Sequence, residues 1–387
     1  MTSMVWTLLD AENNLALDTL DGEVATLARE PFGDVSIRKW TLLGGMSQGV
    51  DVVEVTSGGF RMRILPTRGM GVWDAHYDGQ RIGWSSPTPG PVHPAFVPIS
   101  EPSGIGWLEG FDELLVRCGL ESNGAPEFDP QTHRLLYPLH GRIANKPAQK
   151  VTAEITEDGE VIVRGEVYET RLFFCNLKLT VEYRIARGER GFRLKDTITN
   201  LSAKPAEAQM LYHINLGDPV LSEGATVVVP AKKVVPRNDH SAGEIGNWDR
   251  YRGPQVGFEE MVYFCENAHG EDGWTPTMLK NGAGDRGISV AYDARQLPCF
   301  TIWKNTAAEA DGYVTGLEPA TNFPNPRSFE GKQNRVVKLP PGGEVNFEIQ
   351  LAYHANAEAV AEMEQSIRSL AKEPAHLLDA PHPLWCS

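Results

Sequence analysis

The chain has 387 residues, of which 41% are hydrophobic and 22% charged, as in a soluble globular protein of one large domain or two ordinary ones. Lys and Arg number 36 against 51 Asp and Glu, and the net charge of -15 repels phosphate backbones and anionic lipid surfaces. We therefore expect neither nucleic acid nor a membrane as a partner.

The N-terminal residues lack the basic and apolar regions of a secretion signal. No stretch approaches the roughly 18 to 20 apolar residues of a membrane span. The five cysteines are widely spaced and form no Cys-x-x-Cys pair, so neither a disulfide framework nor a thiolate metal site is indicated. These features predict a cytoplasmic protein. We predict an N-terminal extension over residues 1–35 and a single domain over residues 36–387, with a long ordered loop from Gly83 to Gly110.

Strand patterns follow along the chain. Val151–Ile155 and Val161–Val163 are short candidates, and in Leu177–Ile185 apolar and polar residues alternate strictly. A turn leads from that run into Phe192–Asn200, which predicts a hairpin. After the turn Pro340-Pro-Gly-Gly343, the run from Val345 to Tyr353 alternates again. A period of two places one face of each strand in a core and the other in water.

Helical patterns are few, and Asn356–Ala371 is the best of them, with Asn356 as a candidate N-cap. Many strands with one terminal helix predict an all-β fold. The expected architecture is a large antiparallel β-sandwich with few short helices. The terminal helix is expected to cover a sheet edge.

Three segments place ionisable side chains where alternation alone would not. Leu135–Pro147 contains His140, and in Gln209–Gly217 the side chain of His213 shares a strand face with Gln209 and Asn215. Glu318 ends a third strand, before Pro319. Taken singly, each residue has an ordinary structural explanation: a hydrogen-bonded histidine, a solvated strand face, and a surface glutamate. Their combination is what favours a functional site.

The order and context of these segments resemble the galactose mutarotase (aldose 1-epimerase) superfamily over residues 135 to 355. The matching motifs are Leu139-His-Gly141, the turn Thr199-Asn-Leu-Ser-Ala-Lys-Pro205, the strand Leu211-Tyr-His-Ile-Asn-Leu-Gly217, Leu317-Glu-Pro319, and the turn Leu339-Pro-Pro-Gly-Gly-Glu344. The resemblance implies the supersandwich fold of that superfamily and an enzyme that interconverts sugar anomers. It identifies the chain as a divergent branch.

The resemblance also implies roles for the three residues. Glu318 would act as the base that takes the proton of the C1 hydroxyl, and His213 as the acid that protonates the ring oxygen. His140 would hydrogen-bond the ring oxygen or the neighbouring hydroxyl. Further candidates for binding sugar are Arg68, Asn123, Arg142, Asn215 and Trp303.

The chain departs from the family pattern in one motif. Gly141-Arg-Ile-Ala-Asn145 directly follows His140, whereas the family places this motif before its Leu-His-Gly segment. Arg68 and Arg142 therefore compete for the place of the family's basic residue. An acidic sugar-binding residue is also left open between Asp239, Asp249 and Asp272.

Ring opening and closure need no metal or organic cofactor, so we expect none, and the expected partner is a small-molecule sugar. The sequence selects neither the sugar nor its charge, although Arg68, Arg142 and Lys304 are candidates for binding an anionic group. The sequence does not determine the oligomeric state, and a homodimer is one possibility. Two alternatives also stay open: a non-catalytic carbohydrate-binding protein, and a metal-assisted sugar isomerase or lyase in which His140, His213 and Glu318 hold the ion.

Overall fold

The computed structural model describes residues 3–20 and 33–387. Within them the chain forms two large, predominantly antiparallel sheets packed face to face, so the predicted all-β sandwich is confirmed. No described helix is long and apolar enough to cross a membrane.

One sheet has ten strands and includes the predicted hairpin. Their spatial order is β16 (Thr226–Val228), β19 (Trp274–Lys280), β20 (Gly287–Asp293), β24 (Glu344–His354), β14 (Gly191–Asn200), β13 (Cys175–Ile185), β12 (Val161–Arg171), β11 (Ala148–Ile155), β1 (Met4–Asp10) and β2 (Leu15–Ala16). In β13 the apolar residues are buried and the polar residues between them are half-exposed, as the alternation predicts.

The other sheet has thirteen strands and carries the residues of interest. Its main path runs through β25 (His376–Leu377), β17 (Ala231–Pro236), β18 (Met261–Asn267), β21 (Cys299–Asn305), β22 (Val314–Ala320), β15 (Ala206–Leu216), β8 (Leu115–Leu120), β6 (Gly71–Tyr77), β5 (Phe60–Leu65), β4 (Asp51–Ser57) and β3 (Val35–Thr41). Two more strands pair off this path, β23 (Val337–Leu339) with β15 and β7 (Gln80–Ile82) with β6. A separate two-stranded sheet joins β9 (Glu127–Phe128) to β10 (Leu135–Tyr137).

Helical segments in the described residues are short, apart from the last one. They are α1 (Asp239–Ala242), α2 (Arg327–Lys332), α3 (Ala357–Leu370) and the 3₁₀ turns Gly45–Ser47, Pro94–Phe96, Gly106–Gly110, Ile143–Asn145, Ile245–Asn247 and Glu309–Asp311. The predicted terminal helix is confirmed as α3, whose N-cap Asn356 accepts a hydrogen bond from the Ala359 N–H. Its buried face lies against the edge strand β16 and its neighbour β19.

The sandwich interior contains a buried ion pair that joins the two sheets. The Arg117 guanidinium on β8 donates to both Asp196 carboxylate oxygens on β14, at 2.5 and 3.0 Å. The Tyr212 hydroxyl on β15 donates to the same carboxylate at 2.8 Å. Because the charges are fully buried, they need these partners to offset the cost of desolvation. These contacts hold β8 and β15, the strand that carries His213, against the opposite sheet.

Part of the predicted N-terminal extension lies in the first sheet. Strand β1 pairs with β11 along nearly its whole length, and β2 pairs back on β1. Residues 21–32 of that predicted extension lie outside the described residues.

Candidate active site

His213 and Glu318 face each other across neighbouring strands. Ile214 on β15 pairs with Leu317 on β22, so the next residues in this antiparallel register, His213 and Glu318, stand directly opposite. The His213 Nε2 atom lies 3.2 Å from Glu318 Oε1, and both side chains are almost fully buried. This contact unites two of the three residues predicted as catalytic.

Gly316 makes space for this contact. It stands opposite Asn215 on β15 and opposite Trp303 on β21. A Cβ atom on Gly316 would lie 2.6 Å from Glu318 Oε1 and 3.1 Å from His213 Cε1. The missing side chain therefore lets the carboxyl group and the imidazole meet above the strand.

Asn215 fixes the orientation and tautomer of His213. Its Nδ2 donates to two carbonyl oxygens, that of Glu113 at 2.9 Å and that of His213 at 3.2 Å. Its Oδ1 is therefore the acceptor in the 2.5 Å contact with His213 Nδ1. Because an amide oxygen only accepts, Nδ1 carries a hydrogen, and in the neutral imidazole Nε2 presents a lone pair towards Glu318.

His140 reaches the site from the turn after β10. Its backbone is left-handed, with a φ of 57°, and Gly141 follows with a φ of 73°. A Cβ on Gly141 would lie 2.0 Å from the Ser122 carbonyl oxygen, which excludes a larger residue. The His140 ring lies 5.4 Å from the His213 ring, edge to face. The turn thus places all three predicted catalytic residues together.

The tautomer of His140 determines which hydrogen bonds its Nε2 atom can make. Its Nδ1 lies 3.0 Å from the carbonyl oxygen of Asn123, which only accepts, so Nδ1 carries the hydrogen. In the neutral imidazole Nε2 is then an acceptor. Of the two contacts that the resemblance implies, His140 can accept from a sugar hydroxyl but has no hydrogen on Nε2 to donate to a ring oxygen.

Burial dominates the electrostatics of the site. It raises the pKa of Glu318 well above its usual range, and the neighbouring Glu260 carboxylate adds to the rise while Arg237 opposes it. Burial lowers the pKa of His213 well below its usual range, and His140 adds to that decrease. Burial also lowers the pKa of His140 itself to about 4. Near neutral pH both imidazoles are therefore uncharged.

Aromatic rings line the site, and two of them, Trp107 and Phe111, were not among the predicted sugar-binding residues. Trp107 lies 4.6 Å from the His140 ring, and Phe111 lies 5.1 Å from the His213 ring. Trp303, which was predicted, lies 5.3 Å from His213 and is half-buried. The Trp content of the predicted Gly83–Gly110 loop was the available signal for Trp107. Apolar rings of this kind suit the C–H faces of a sugar.

Three buried polar atoms at the site find no hydrogen-bond partner among the described residues. They are Trp107 Nε1, Thr301 Oγ1 and Glu318 Oε1. Thr301 stands directly opposite Glu318 across β21 and β22, so its hydroxyl shares the face of the acid. Buried polar groups are rarely left unpaired in proteins. Their concentration here is what a site for a hydroxyl-rich ligand would show.

An ion pair lies beside Trp303 at the border of the site. The Trp303 Nε1–H donates to Glu260 Oε2 at 2.7 Å, and Glu260 Oε1 lies 3.5 Å from Arg237 Nη1. Both charged side chains are about half exposed. Asp239, Asp249 and Asp272 stay predicted candidates for an acidic sugar-binding residue. A further acidic side chain, Glu260, borders the site, and its position just before β18 gave no sequence signal.

The predicted arginines lie outside this cluster. The buried Arg68 donates to Glu113 Oε1, to Asn145 Oδ1, and to the carbonyl oxygens of Val92 and Gly110. Four of its five N–H groups are thus already used, and its contact with Glu113 supports the segment that holds Asn215. The Arg142 Nη1 atom lies 3.7 Å from Glu121 Oε2.

The other predicted binding residues have structural partners. The side-chain amide of Asn123 pairs reciprocally with that of Asn322, at 2.9 and 2.7 Å. Lys304 donates to the carbonyl oxygens of Asn247 and Arg250, and burial lowers its pKa to about 8. The backbone carbonyl of Asn123 and the side chain of Asn215 orient His140 and His213, and a sugar-binding role for the two asparagines stays a prediction.

The residues best placed to bind a metal ion lie outside the His140, His213 and Glu318 site. Among the described residues, one group of three His, Cys, Asp or Glu ligand atoms lies within 4.8 Å of one another: Glu121, Glu169 and Cys175. Both Glu169 oxygens accept backbone N–H groups, at 2.9 and 3.1 Å, and the Cys175 thiol donates to the Glu169 carbonyl. His140, His213 and Glu318 do not form such a compact group, so the geometry gives the metal-assisted alternative no support.

Comparison with known proteins places the chain in a family. The family model described as "Domain of unknown function (DUF4432)" matches residues 47–353. A proposed aldose 1-epimerase from Klebsiella pneumoniae is 34% identical in sequence, and its crystal structure superposes with a TM-score of 0.93 over 98% of this chain and 99% of that one. The chain belongs to the DUF4432 family. No curated protein matches this DUF4432 protein.

More distant structures share the fold of this DUF4432 protein. A galactose mutarotase-like protein from Clostridium acetobutylicum is 12% identical, with a TM-score of 0.57 over 83% of this chain and 99% of that one. A galactose 1-epimerase from Lactobacillus acidophilus is 11% identical, with a TM-score of 0.54 over the same shares of the two chains. At such identities the likeness shows the fold alone. The predicted galactose mutarotase-like fold is confirmed by these structures, and the predicted resemblance to aldose 1-epimerases is confirmed by the relative at 34% identity.

Proposed function

We propose that this protein is an aldose 1-epimerase-like enzyme that interconverts the anomers of a free sugar. The observation that supports the proposal is the close approach of His213 Nε2 to Glu318 Oε1, at 3.2 Å. The two side chains lie on the face of the thirteen-stranded sheet that Trp107, Phe111 and Trp303 line. Anomer exchange needs one proton acceptor at the C1 hydroxyl and one proton donor at the ring oxygen. This pair holds one group of each kind.

The reaction is balanced without any other reagent. The C1 hydroxyl loses its proton to the base while the bond between C1 and the ring oxygen breaks, and the acid gives its proton to that oxygen. Rotation about the C1–C2 bond then presents the other carbonyl face, and closure returns both protons. His140 Nε2 accepts a hydrogen bond from a neighbouring hydroxyl, and Trp107, Phe111 and Trp303 contact the apolar faces of the sugar.

The test is anomer exchange measured by NMR or polarimetry on a panel of neutral and acidic aldoses, for wild type and Glu318→Gln. Gln keeps the shape of the side chain but transfers no proton, so exchange should fall to the uncatalysed rate on the sugar that wild type accepts. Gly331→Ala is a matched control, since a Cβ there meets no atom within 4 Å. Wild-type exchange in Glu318→Gln, or no exchange by wild type on any sugar, would contradict the proposal.

Sugar binding without exchange is the second candidate. It is favoured by the internal use of Arg68 and Asn123, which leaves fewer side chains for holding a substrate. Calorimetry with the same sugar panel separates the two functions. Binding heat together with unchanged anomer lifetimes would establish a carbohydrate-binding protein on the mutarotase-like scaffold.

A further inference from the structure

His213, Glu318 and Thr301 form one row across three neighbouring strands. Strand β22 lies between β15 and β21, and its Glu318 stands opposite His213 on one side and opposite Thr301 on the other. Phe300 and Ile302, the neighbours of Thr301 in the chain, lie in the core between the two sheets. Because successive side chains of a strand point to opposite faces, Thr301 points to the face that carries His213 and Glu318.

The Thr301 hydroxyl is buried without a hydrogen bond. The side chain is 1% exposed, and its Oγ1 atom has no hydrogen-bond partner in the part of the chain that the structure describes. The next residue in the row, on β18, is Phe264, whose ring carries no hydrogen-bonding atom. A hydroxyl that is removed from water without a partner costs free energy, and buried hydroxyls nearly always have one. A ligand oxygen atom would complete this site.

We infer that Thr301 is a substrate-binding residue whose hydroxyl group pairs with the hydroxyl group on C2 of the sugar. This rests on the proposed function, in which Glu318 contacts the C1 hydroxyl and His213 the ring oxygen. In a pyranose ring C1 has two neighbours, the ring oxygen and C2. With the ring oxygen on the His213 side of Glu318, C2 lies on the opposite side, where the row places Thr301.

The dimensions and chemistry of the row suit this contact. Neighbouring strands lie about 4.8 Å apart, so the backbones at His213 and Thr301 are about 10 Å apart, a span that a sugar ring with its hydroxyl groups fills. A threonine hydroxyl both donates and accepts, as does a sugar hydroxyl, so the two pair in either direction. The substrate class is therefore an aldose with a free 2-hydroxyl group.

Pairs of sugars that differ only at C2 test this contact. D-glucose, D-galactose and D-ribose are each compared with their 2-deoxy counterparts, by calorimetric binding and by anomer exchange. The proteins are wild type, Thr301→Val, which keeps the side-chain shape without the hydroxyl, and Thr301→Ser, which keeps the hydroxyl. A hydrogen bond between uncharged groups corresponds to about a 3- to 10-fold difference in affinity. Wild type and Thr301→Ser should prefer the 2-hydroxy sugar by that factor, and Thr301→Val should bind both sugars of a pair alike.

The outcomes separate the contact from the epimerase activity. Discrimination in binding without anomer exchange would leave the role of Thr301 standing and remove the proposed function. Exchange with the same preference in wild type and Thr301→Val would do the reverse. If wild type bound none of these sugars, the assignment of Thr301 to an aldose would be wrong.

A measurement without sugar tests whether the Thr301 hydroxyl has a partner inside the protein. Thr301→Val should unfold at the same urea concentration as wild type or a higher one, because it removes an unpaired buried hydroxyl. Thr277→Val is the matched control. Thr277 is equally buried on β19, and its Oγ1 donates to the Val290 carbonyl oxygen at 3.0 Å, so its substitution should lower the midpoint. A similar decrease in Thr301→Val would overturn the inference.

Discussion

Replacing Gly316 with Ala tests whether the contact between His213 and Glu318 controls activity. The new Cβ would lie 2.6 Å from Glu318 Oε1, closer than the ordinary van der Waals range of 3.4–4 Å. The carboxyl oxygen would therefore have to move by about 0.8 Å, and a displacement of about 1 Å at reacting groups can cost on the order of 100-fold in rate. We expect anomer exchange in Gly316→Ala to fall by about 10- to 100-fold.

The same substitution should change stability little. The displaced atom is the end of a flexible side chain, and Ala loses less backbone entropy than Gly on entering a strand, an effect of about 0.5–1 kcal/mol. Urea denaturation should therefore give a free energy of unfolding within about 1 kcal/mol of wild type. A wild-type exchange rate in Gly316→Ala, with Gly331→Ala as the comparison, would refute the link between this contact and turnover. A large loss of stability would show that the new atom disturbs more than the pair.

Three further predictions concern the groups around the pair. Asp196→Asn should lower the free energy of unfolding in urea by about 3–5 kcal/mol, because Arg117 would stay buried without its counterion; an unchanged midpoint would contradict this. Asn215→Ala should lower kcat about 10- to 100-fold with little change in KM, because His213 loses the acceptor that orients it; a change in KM alone would argue against orientation. In wild type the pKa of His140 is about 4 when folded and about 6.5 when unfolded, so the folded state binds fewer protons between these values and stability should fall as pH drops from 6.5 to 4. His140→Asn, which tolerates the left-handed backbone, should lack this part of the decrease when urea midpoints at pH 7 and pH 5 are compared.

The elements of the fold that could be predicted from the sequence are those marked by a local pattern of apolar and polar residues. Alternation identified β13 and β14, and an N-cap with helical spacing identified α3. Strand β15 shows where local pattern is insufficient. All but its first two residues are buried, because one face lies in the sandwich and loops cover the other. Alternating residues on such a strand suggest a solvated face where there is none.

The site was predictable in its centre and not at its border. His140, His213 and Glu318 were grouped because their motif order resembled a known family, and in the structure the pairing of β15 with β22 and the turn after β10 bring the three side chains together. The predicted binding role of Arg68 has no support in the contacts, because sequence does not show that Glu113, far along the chain, takes its guanidinium. Glu260 and Trp107 were not predicted because their distance along the chain from His213 and Glu318 hides their proximity in the fold. Their importance arises from the packing of loops on β21 and β15, and no spacing rule encodes that packing.

Burial of the His213 and Glu318 pair has a consequence for the proposed anomer exchange, which proceeds through ring opening and ring closure. Each half-cycle reverses the roles of acid and base, so a pair with very different proton affinities would be fast in one half and slow in the other. In water a glutamate and a histidine differ by about two pKa units, with histidine the stronger base. Desolvation raises the pKa of Glu318 and lowers that of His213, so the two proton affinities move towards each other. The burial that excludes water from the pair therefore reduces the free-energy gap between a proton on Glu318 and a proton on His213.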